Sequence, residues 1–248
     1  MTITRQDELD GLKDIGRILA NTLQTMARAM EPGMTTAELD QIGADHLERH
    51  GATSAPNSTY GFPGATCISV NEEIAHGIPG TRVIAPGDLV NIDVSASKNG
   101  FFADTGASFR VQPVAASLDR LCRDGNRAMR IGIAQVGAGR PLAGIGNAIG
   151  RFAKSRGYTL IRNLASHGVG RALHEEPGEI ATWPNRDRRR IAKGLVLTVE
   201  PFLSRGALLA RDGSDGWTLL AQPAAPVVQY EHTVVATDKG AVIVTLPG

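Results

Sequence analysis

The chain has 248 residues, is 42% hydrophobic and carries a formal net charge of +1, with only Cys67 and Cys122 as cysteines. That length fills one large domain or two fused halves with ample core, and the charge balance excludes a global drive toward DNA or a membrane surface. Two cysteines are no disulfide framework and fit a reducing compartment. The acidic start Met1–Glu8 is unlike a signal peptide, no run of about 18 apolar residues can span a bilayer, and a cytoplasmic protein is expected.

Leu9, Leu12, Ile15, Leu19, Leu23 and Met26 recur at helical spacing and predict a helix over residues 5–30, ended by Pro32-Gly33. Thr35 and Glu38 form a capping box that opens a second helix, with Leu39 and Ile42 inward and Gly51 beyond its end. Residues 52–109 read as strands and loops. Ser117 can cap a helix to about Val136, with Leu118, Leu121, Ala128 and Ile131 inward. A further helix covers roughly residues 142–155 before Gly157, and strands resume from Tyr158. Each half is thus two helices followed by strands, an α+β arrangement in which helices cover one sheet face. No linker or low-complexity segment divides the chain, so one domain over residues 1–248 is expected.

Five side chains carry the chemical signal: Asp93, Asp104, His167, Glu200 and Glu231. All sit in apolar stretches that read as strands or strand ends, where a carboxylate is costly unless something satisfies it. Residues 87–95 read as a buried strand, Asn99-Gly100 as a two-residue hairpin turn, and residues 101–109 as the return strand. With that turn Lys98 faces Phe101 and Asp93 faces Gly106, which makes Asp104 the diagonal neighbour of Asp93, roughly 7–8 Å away at the backbone. Carboxylates at that distance can converge on two metal ions about 3.5–4 Å apart. Read alone, the pair serves equally as strand-end aspartates facing water. Oxygen donors with one imidazole suit a hard or borderline divalent cation, and four carboxylates carry charge for two.

The plan recurs downstream. Glu200 lies six residues after Gly194, as Asp93 does after Gly87, and Glu231 sits within the apolar run 227–235. His76-Gly77-Ile78-Pro79 precedes the first set and His167-Gly168-Val169-Gly170 the second. The order histidine, carboxylate, carboxylate therefore occurs twice, which predicts two related halves, roughly 1–113 and 114–248, about a pseudo-twofold axis with the site between them.

The segments Cys67–Glu72, Ala75–Pro79, Val90–Val94, Asp104-Thr105, Ser166–Arg171, His174–Pro177, Thr198–Pro201 and Gln229–Thr233 resemble type I methionine aminopeptidases, in order and spacing, over nearly the whole chain. The resemblance implies the pita-bread fold, two pseudo-symmetric α+β halves around a dinuclear metal centre. Little sequence precedes the first helix, and residues 178–200, 23 in all, separate Pro177 from Pro201. A zinc-finger extension and a type II insertion are therefore not expected, and the chain looks like a minimal bacterial-type member.

The resemblance assigns Asp93 to one metal, Asp104 and Glu231 as bridges, and His167 and Glu200 to the other metal. Glu200 doubles as candidate general base for a metal-activated water. The metals can be manganese, iron(II), cobalt or zinc, which this donor set does not separate. By the same resemblance His174 stabilises the developing oxyanion and His76 lies near the peptide nitrogen. Phe62, Cys67 and Trp217, with His76 at the edge, are candidate walls for an unbranched thioether. Thr59 stands where many members carry tyrosine and Leu173 where an aromatic is frequent; Pro56 also differs, so a wider pocket is expected. The implied activity is removal of initiator methionine from nascent polypeptides with a small second residue. Rival readings are an Xaa-Pro aminopeptidase or dipeptidase, a non-enzymatic module of the same fold, and a metal-dependent phosphoesterase. The basic run Arg186, Arg188, Arg189, Arg190 is a candidate contact with ribosomal RNA, and a monomer is expected.

Overall fold

A computed structural model describes residues 1–248. The first half holds helices α1 (Gln6–Ala29), α2 (Thr36–Arg49) and α3 (Ala55–Tyr60), and strands β1 (Thr53–Ser54), β2 (Cys67–Val70), β3 (Glu73–Ala75), β4 (Leu89–Lys98) and β5 (Phe101–Arg110). The second half holds α4 (Ala116–Ile133) and α5 (Ala143–Ser155). Its strands are β6 (Thr159–Leu160), β7 (Ser166–Gly168), β8 (Glu175–Ile180), β9 (Val196–Val199), β10 (Phe202–Ser204), β11 (Leu209–Asp212), β12 (Leu219–Gln222), β13 (Val227–Gln229), β14 (His232–Thr237) and β15 (Gly240–Ile243).

Helix starts follow local chemistry. At α2 the Glu38 backbone N–H donates to Thr35 Oγ1 at 3.2 Å while the Thr35 N–H donates to Glu38 Oε2 at 2.8 Å, the reciprocal box expected. At α4 the cap is Ala115, whose carbonyl accepts from Leu118 and Asp119. Ser117 lies inside the first turn and does not cap, and the helix stops at Ile133, three residues before Val136. The unexpected element is α3. Its Pro56 presets a helical φ in the first turn, and Gly61, at φ +72°, ends it in the left-handed region.

Helices α1 and α2 cover the sheet around β4, whereas α4 and α5 cover strands of two sheets. Ile15, Leu19, Met26 and Leu39 pack on Ile68, Val90 and Ile92 in one core. Leu121, Met129, Ile145 and Ile149 pack on Leu197, Val199, Val228 and Val234 in the other. A Cβ at Gly132 would lie 2.8 Å from Ile149 Cδ1 and 2.9 Å from Val199 Cγ1, so only glycine lets α4 sit this close to α5 and β9.

The β4–β5 register pairs Lys98 with Phe101 and Asp93 with Gly106, as the Asn-Gly turn predicts. Strand β4 pairs with β1, β2 and β5; in the second half the order is β15-β14-β9-β7-β8. The halves are stitched along β5. Thr105 Oγ1 donates to Glu231 O at 2.8 Å, the Glu231 N–H to Gly106 O at 2.9 Å, and Thr233 Oγ1 to Asp104 O at 2.8 Å. A second stitch pairs β3 with β12, Leu219 opposite Ala75, which brings the His76 and Trp217 segments to the same end.

Candidate metal centre and active site

The seam between the halves carries the five residues singled out above. Asp93 on β4 and Asp104 on β5 come from the first half; His167 on β7, Glu200 just after β9 and Glu231 between β13 and β14 come from the second. Asp93, Asp104, His167 and Glu200 line a cleft of about 630 Å³. Glu231 is buried beneath, and ligand atoms of Asp104, His167 and Glu231 all lie within 4.8 Å of one another.

Each side chain is held by a short local contact. His167 Nδ1 lies 2.9 Å from Gly168 O, so Nδ1 carries the proton and Nε2 presents a lone pair. That Nε2 is 3.5 Å from Glu200 Oε1 and 3.9 Å from Asp104 Oδ2. Thr198 Oγ1 donates to Glu200 Oε1 at 2.7 Å and accepts from the His167 N–H at 3.1 Å, fixing both groups. Gln229 Nε2 donates to Glu231 Oε2 at 2.8 Å and reaches Asp93 Oδ2 at 3.4 Å, while its Oε1 accepts from Asn91 at 2.8 Å.

The electrostatics of this protein-only site are unfavourable. Burial, offset by a contact with Asp104, raises Asp93 to about 6. Burial raises Glu200 to about 8, with the Asp93 charge adding to it. Asp104 and Glu231 are pushed well above the carboxylate range by burial first and by neighbouring carboxylates second. Burial depresses His167 to about 3, so its imidazole is neutral. Two buried oxygens, Asp104 Oδ1 and Glu231 Oε1, have no hydrogen-bond partner. Orphaned carboxylate oxygens beside a bare imidazole lone pair fit divalent cations, whose charge would reverse every carboxyl shift at once.

Around the carboxylates stand two more histidines. His174 Nδ1 lies 2.7 Å from Tyr60 Oη, and its ring centroid is 4.2 Å from that of His167. His76 follows β3 with φ +54°, a left-handed conformation uncommon for a side-chain-bearing residue, and lines the cleft. Desolvation in the cleft lowers both imidazoles below their ordinary value. Phe62 and Trp217 meet edge to face, centroids 5.3 Å apart, and with Cys67 form an apolar wall. Burial raises the Cys67 thiol well above its ordinary range, so it is a wall and no nucleophile.

Two expected pocket residues do not line the cleft. Thr59 is exposed on α3, and the next residue, Tyr60, lies at the cleft instead, half exposed with its hydroxyl on His174. Leu173 is buried, 3% exposed, outside the cleft wall. Three side chains in contact with the candidate site residues have a signal in the sequence. Thr198 precedes Glu200 by two, and Gln229 precedes Glu231 by two, the spacing that puts side chains on one strand face. Tyr60 lies one position from the threonine chosen.

The family model for metallopeptidase family M24 matches residues 10–238. Methionine aminopeptidase 2 of Bacillus subtilis (strain 168) is 44% identical over 247 residues, 99% of each chain. The methionine aminopeptidase of Escherichia coli (strain K12) is 36% identical over 99% of this chain and 94% of its own. The crystal structure of methionine aminopeptidase from Rickettsia prowazekii matches with a TM-score of 0.95 at 32% identity, covering 99% of this chain and 100% of that one. Prolidase from Pyrococcus furiosus, 20% identical with a TM-score of 0.80 and 66% covered, shares the fold. The chain belongs to metallopeptidase family M24 and, within it, to the methionine aminopeptidases.

Proposed function

We propose that this enzyme removes the initiator methionine from nascent polypeptides with a small second residue, using Asp93, Asp104, His167, Glu200 and Glu231 to hold two divalent ions. The observation that carries this reading is three buried carboxylates, a half-buried fourth and a neutral imidazole converging at an apolar-walled cleft. Divalent cations bound there would acidify a water and polarise the scissile carbonyl.

The remaining work falls to side chains. Thr198 occupies Glu200 Oε1, leaving Oε2 to accept a proton and return it to the departing amine. Tyr60 holds His174 at Nδ1, which leaves Nε2 to donate a hydrogen bond to the carbonyl oxygen as charge develops there. His76, across the cleft, is the donor or relay at the peptide nitrogen. Phe62, Trp217, Cys67 and Tyr60 bury an unbranched thioether, and aromatic rings suit its sulfur. The narrow seam, Asp93 to Glu231, is one catalytic unit assembled from both halves, and a cytoplasmic monomer acting on emerging chains fits it.

The test is hydrolysis of Met-Ala-Ser and its norleucine, leucine and alanine counterparts, after chelation and re-addition of manganese, cobalt, iron(II) or zinc. Metal-restored cleavage that favours methionine supports the reading. Restored cleavage without that preference moves the substrate, and preference for an Ala-Pro peptide would install the proline-directed alternative. No cleavage by folded, metal-bound protein would leave a binding module.

A further inference from the structure

The net charge of +1 hides a strong separation. Residues 1–113 hold 8 Lys/Arg against 14 Asp/Glu, a formal −6; residues 114–248 hold 18 against 11, a formal +7. The separation is concentrated in the helices. α4 carries Arg120, Arg123, Arg127 and Arg130, all exposed and spaced to share its outer face; α5 adds exposed Arg151 and Lys154 and contains no acid.

Of this face the two acids of α4 neutralise only Arg123. Asp119 pairs with Arg110 and Arg123. Asp124 is buried, accepting from Tyr158 Oη at 3.0 Å and facing Arg156 at 3.5 Å. Arg120, Arg127, Arg130, Arg151 and Lys154 pair with no carboxylate. Arg127 and Arg156 lie over the Phe152 ring, 5.6 and 5.9 Å from its centroid, which holds both guanidinium groups in place; Arg156 also faces Asp124, while Arg127 keeps its charge unpaired. Beside them a concavity of about 340 Å³ is lined by Ser117, Arg120, Asp124, Arg156, Tyr158 and Arg205. With both Asp124 oxygens engaged, the guanidinium groups of Arg120 and Arg205 are left to face an incoming anion.

We propose that the arginine face of α4 and α5 docks on the phosphate backbone of structured RNA, with one phosphate seated between Arg120, Arg156 and Arg205. Guanidinium forks match phosphate oxygens in pairs, and of the six basic residues on these helices five are arginine. A lipid surface fits less well. The exposed large apolar residues are Tyr60, Val83, Leu208, Leu209 and Leu246, none on α4 or α5, so nothing there can insert between acyl chains. The basic run at 186–190 is a poorer candidate than its sequence suggests. Arg189 is neutralised by Asp187 and Arg190, its charge intact, is held by Gly139 O, so Arg186, Arg188 and Arg190 offer a smaller charge on a loop than the unpaired cations of the two helices. None of the basic residues of α4 or α5 lines the catalytic cleft, so docking leaves that cleft open.

The test is fluorescence anisotropy with a labelled 20-base-pair RNA duplex across 50–200 mM KCl. The intact enzyme is expected to bind with a log–log salt slope of about −4 to −6, each phosphate contact contributing about −0.9. R120A/R127A/R151A should bind at least about tenfold more weakly and lose about three from the slope, while Met-Ala-Ser hydrolysis, its folding control, stays unchanged. R120K/R127K/R151K should keep the slope at reduced affinity. Absence of RNA binding by the intact enzyme at 50 mM salt overturns the proposal, as does an alanine variant that binds like it. Binding to phosphatidylserine vesicles without RNA binding would assign the face to membranes. Salt-sensitive self-association without RNA binding would assign it to the acidic α1–α2 face of a second copy.

Discussion

Gly106 offers a direct way to disturb the carboxylate floor without touching a carboxylate. It sits on β5 opposite Asp93, and a Cβ there would lie 2.5 Å from Gln229 Oε1, 2.7 Å from Nε2 and 3.0 Å from Cδ. Gln229 is 1% exposed and cannot swing into solvent. In Gly106→Ala the amide must retreat by about 1 Å to reach ordinary contact, which breaks its bonds to Asn91 and Glu231. Overpacking costs about 1–3 kcal/mol and the two hydrogen bonds about 1 kcal/mol each, a total of about 3–5 kcal/mol. At roughly 2–4 °C per kcal/mol for a chain of this size, the melting temperature falls by about 12 °C. Glu231 and Asp93 also lose the donor that orients them, so manganese affinity should drop about 10–100-fold. Near-UV circular dichroism melts and manganese titration read the two effects separately. In a Gln229→Ala background the methyl meets no amide, so the double variant should cost less than the sum of the singles. A single variant with unchanged melting temperature and manganese affinity within twofold would refute the reasoning.

Three further outcomes follow from the same geometry. Tyr60→Phe removes the 2.7 Å contact at His174 Nδ1 and should lower kcat about five- to tenfold with little change in KM, measured on Met-Ala-Ser. Trp217→Ala opens the wall that Phe62 packs against edge-on and should cut the preference for methionine over alanine by about tenfold in kcat/KM. The third concerns pH in chelated protein. Burial raises Asp93 to about 6 and Glu200 to about 8. Their neutral forms therefore favour the fold, a contribution complete at low pH and lost as pH rises through those values. His167, depressed to about 3, works in the opposite sense, contributing fully above its unfolded value of 6.5 and losing that contribution as pH falls. Between pH 6.5 and 8.5 the carboxyl effect dominates, so the melting temperature of chelated protein should fall with rising pH and that of manganese-loaded protein should stay flat. Parallel curves with and without manganese would contradict the assignment.

What could be read from the residues follows from how local each signal is. The Asn99-Gly100 turn sets the β4–β5 register by itself, so the placing of Asp93 and Asp104 on one face is legible within twelve residues, 93–104. Capped amphipathic helices such as α2 announce themselves in the same way. Helix α3 does not: six residues carry no measurable period, and Ala-Pro-Asn-Ser-Thr-Tyr holds no apolar stripe. The resemblance points to Thr59, whereas it is Tyr60 that reaches the cleft, since one residue along a helix turns the side chain by about 100°. The spacing of two places Gln229 on the same face as Glu231, but its link to the first half has no local signal. Its partners Asn91 and Asp93 are 138 and 136 residues away, so its role exists only once the halves are joined.

That junction also explains how these buried carboxylates are held in place despite their cost. When ionised, the carboxylates of Asp104 and Glu231 repel each other in a dry site, and repulsion alone would spread the seam. The backbone on either side prevents it. Asp104 donates its N–H to Thr233 Oγ1 and accepts from the same hydroxyl at its carbonyl, at 2.9 and 2.8 Å, while Glu231 is tied at N–H and carbonyl to Gly106 and Thr105. Each of these two candidate ligands is thus clamped by the half to which it does not belong. Separating the charges would break four hydrogen bonds before it relieved any repulsion. The unfavourable energy is therefore retained in the metal-free fold, where divalent cations would release it on binding, and the alignment of the halves sets the geometry of the site.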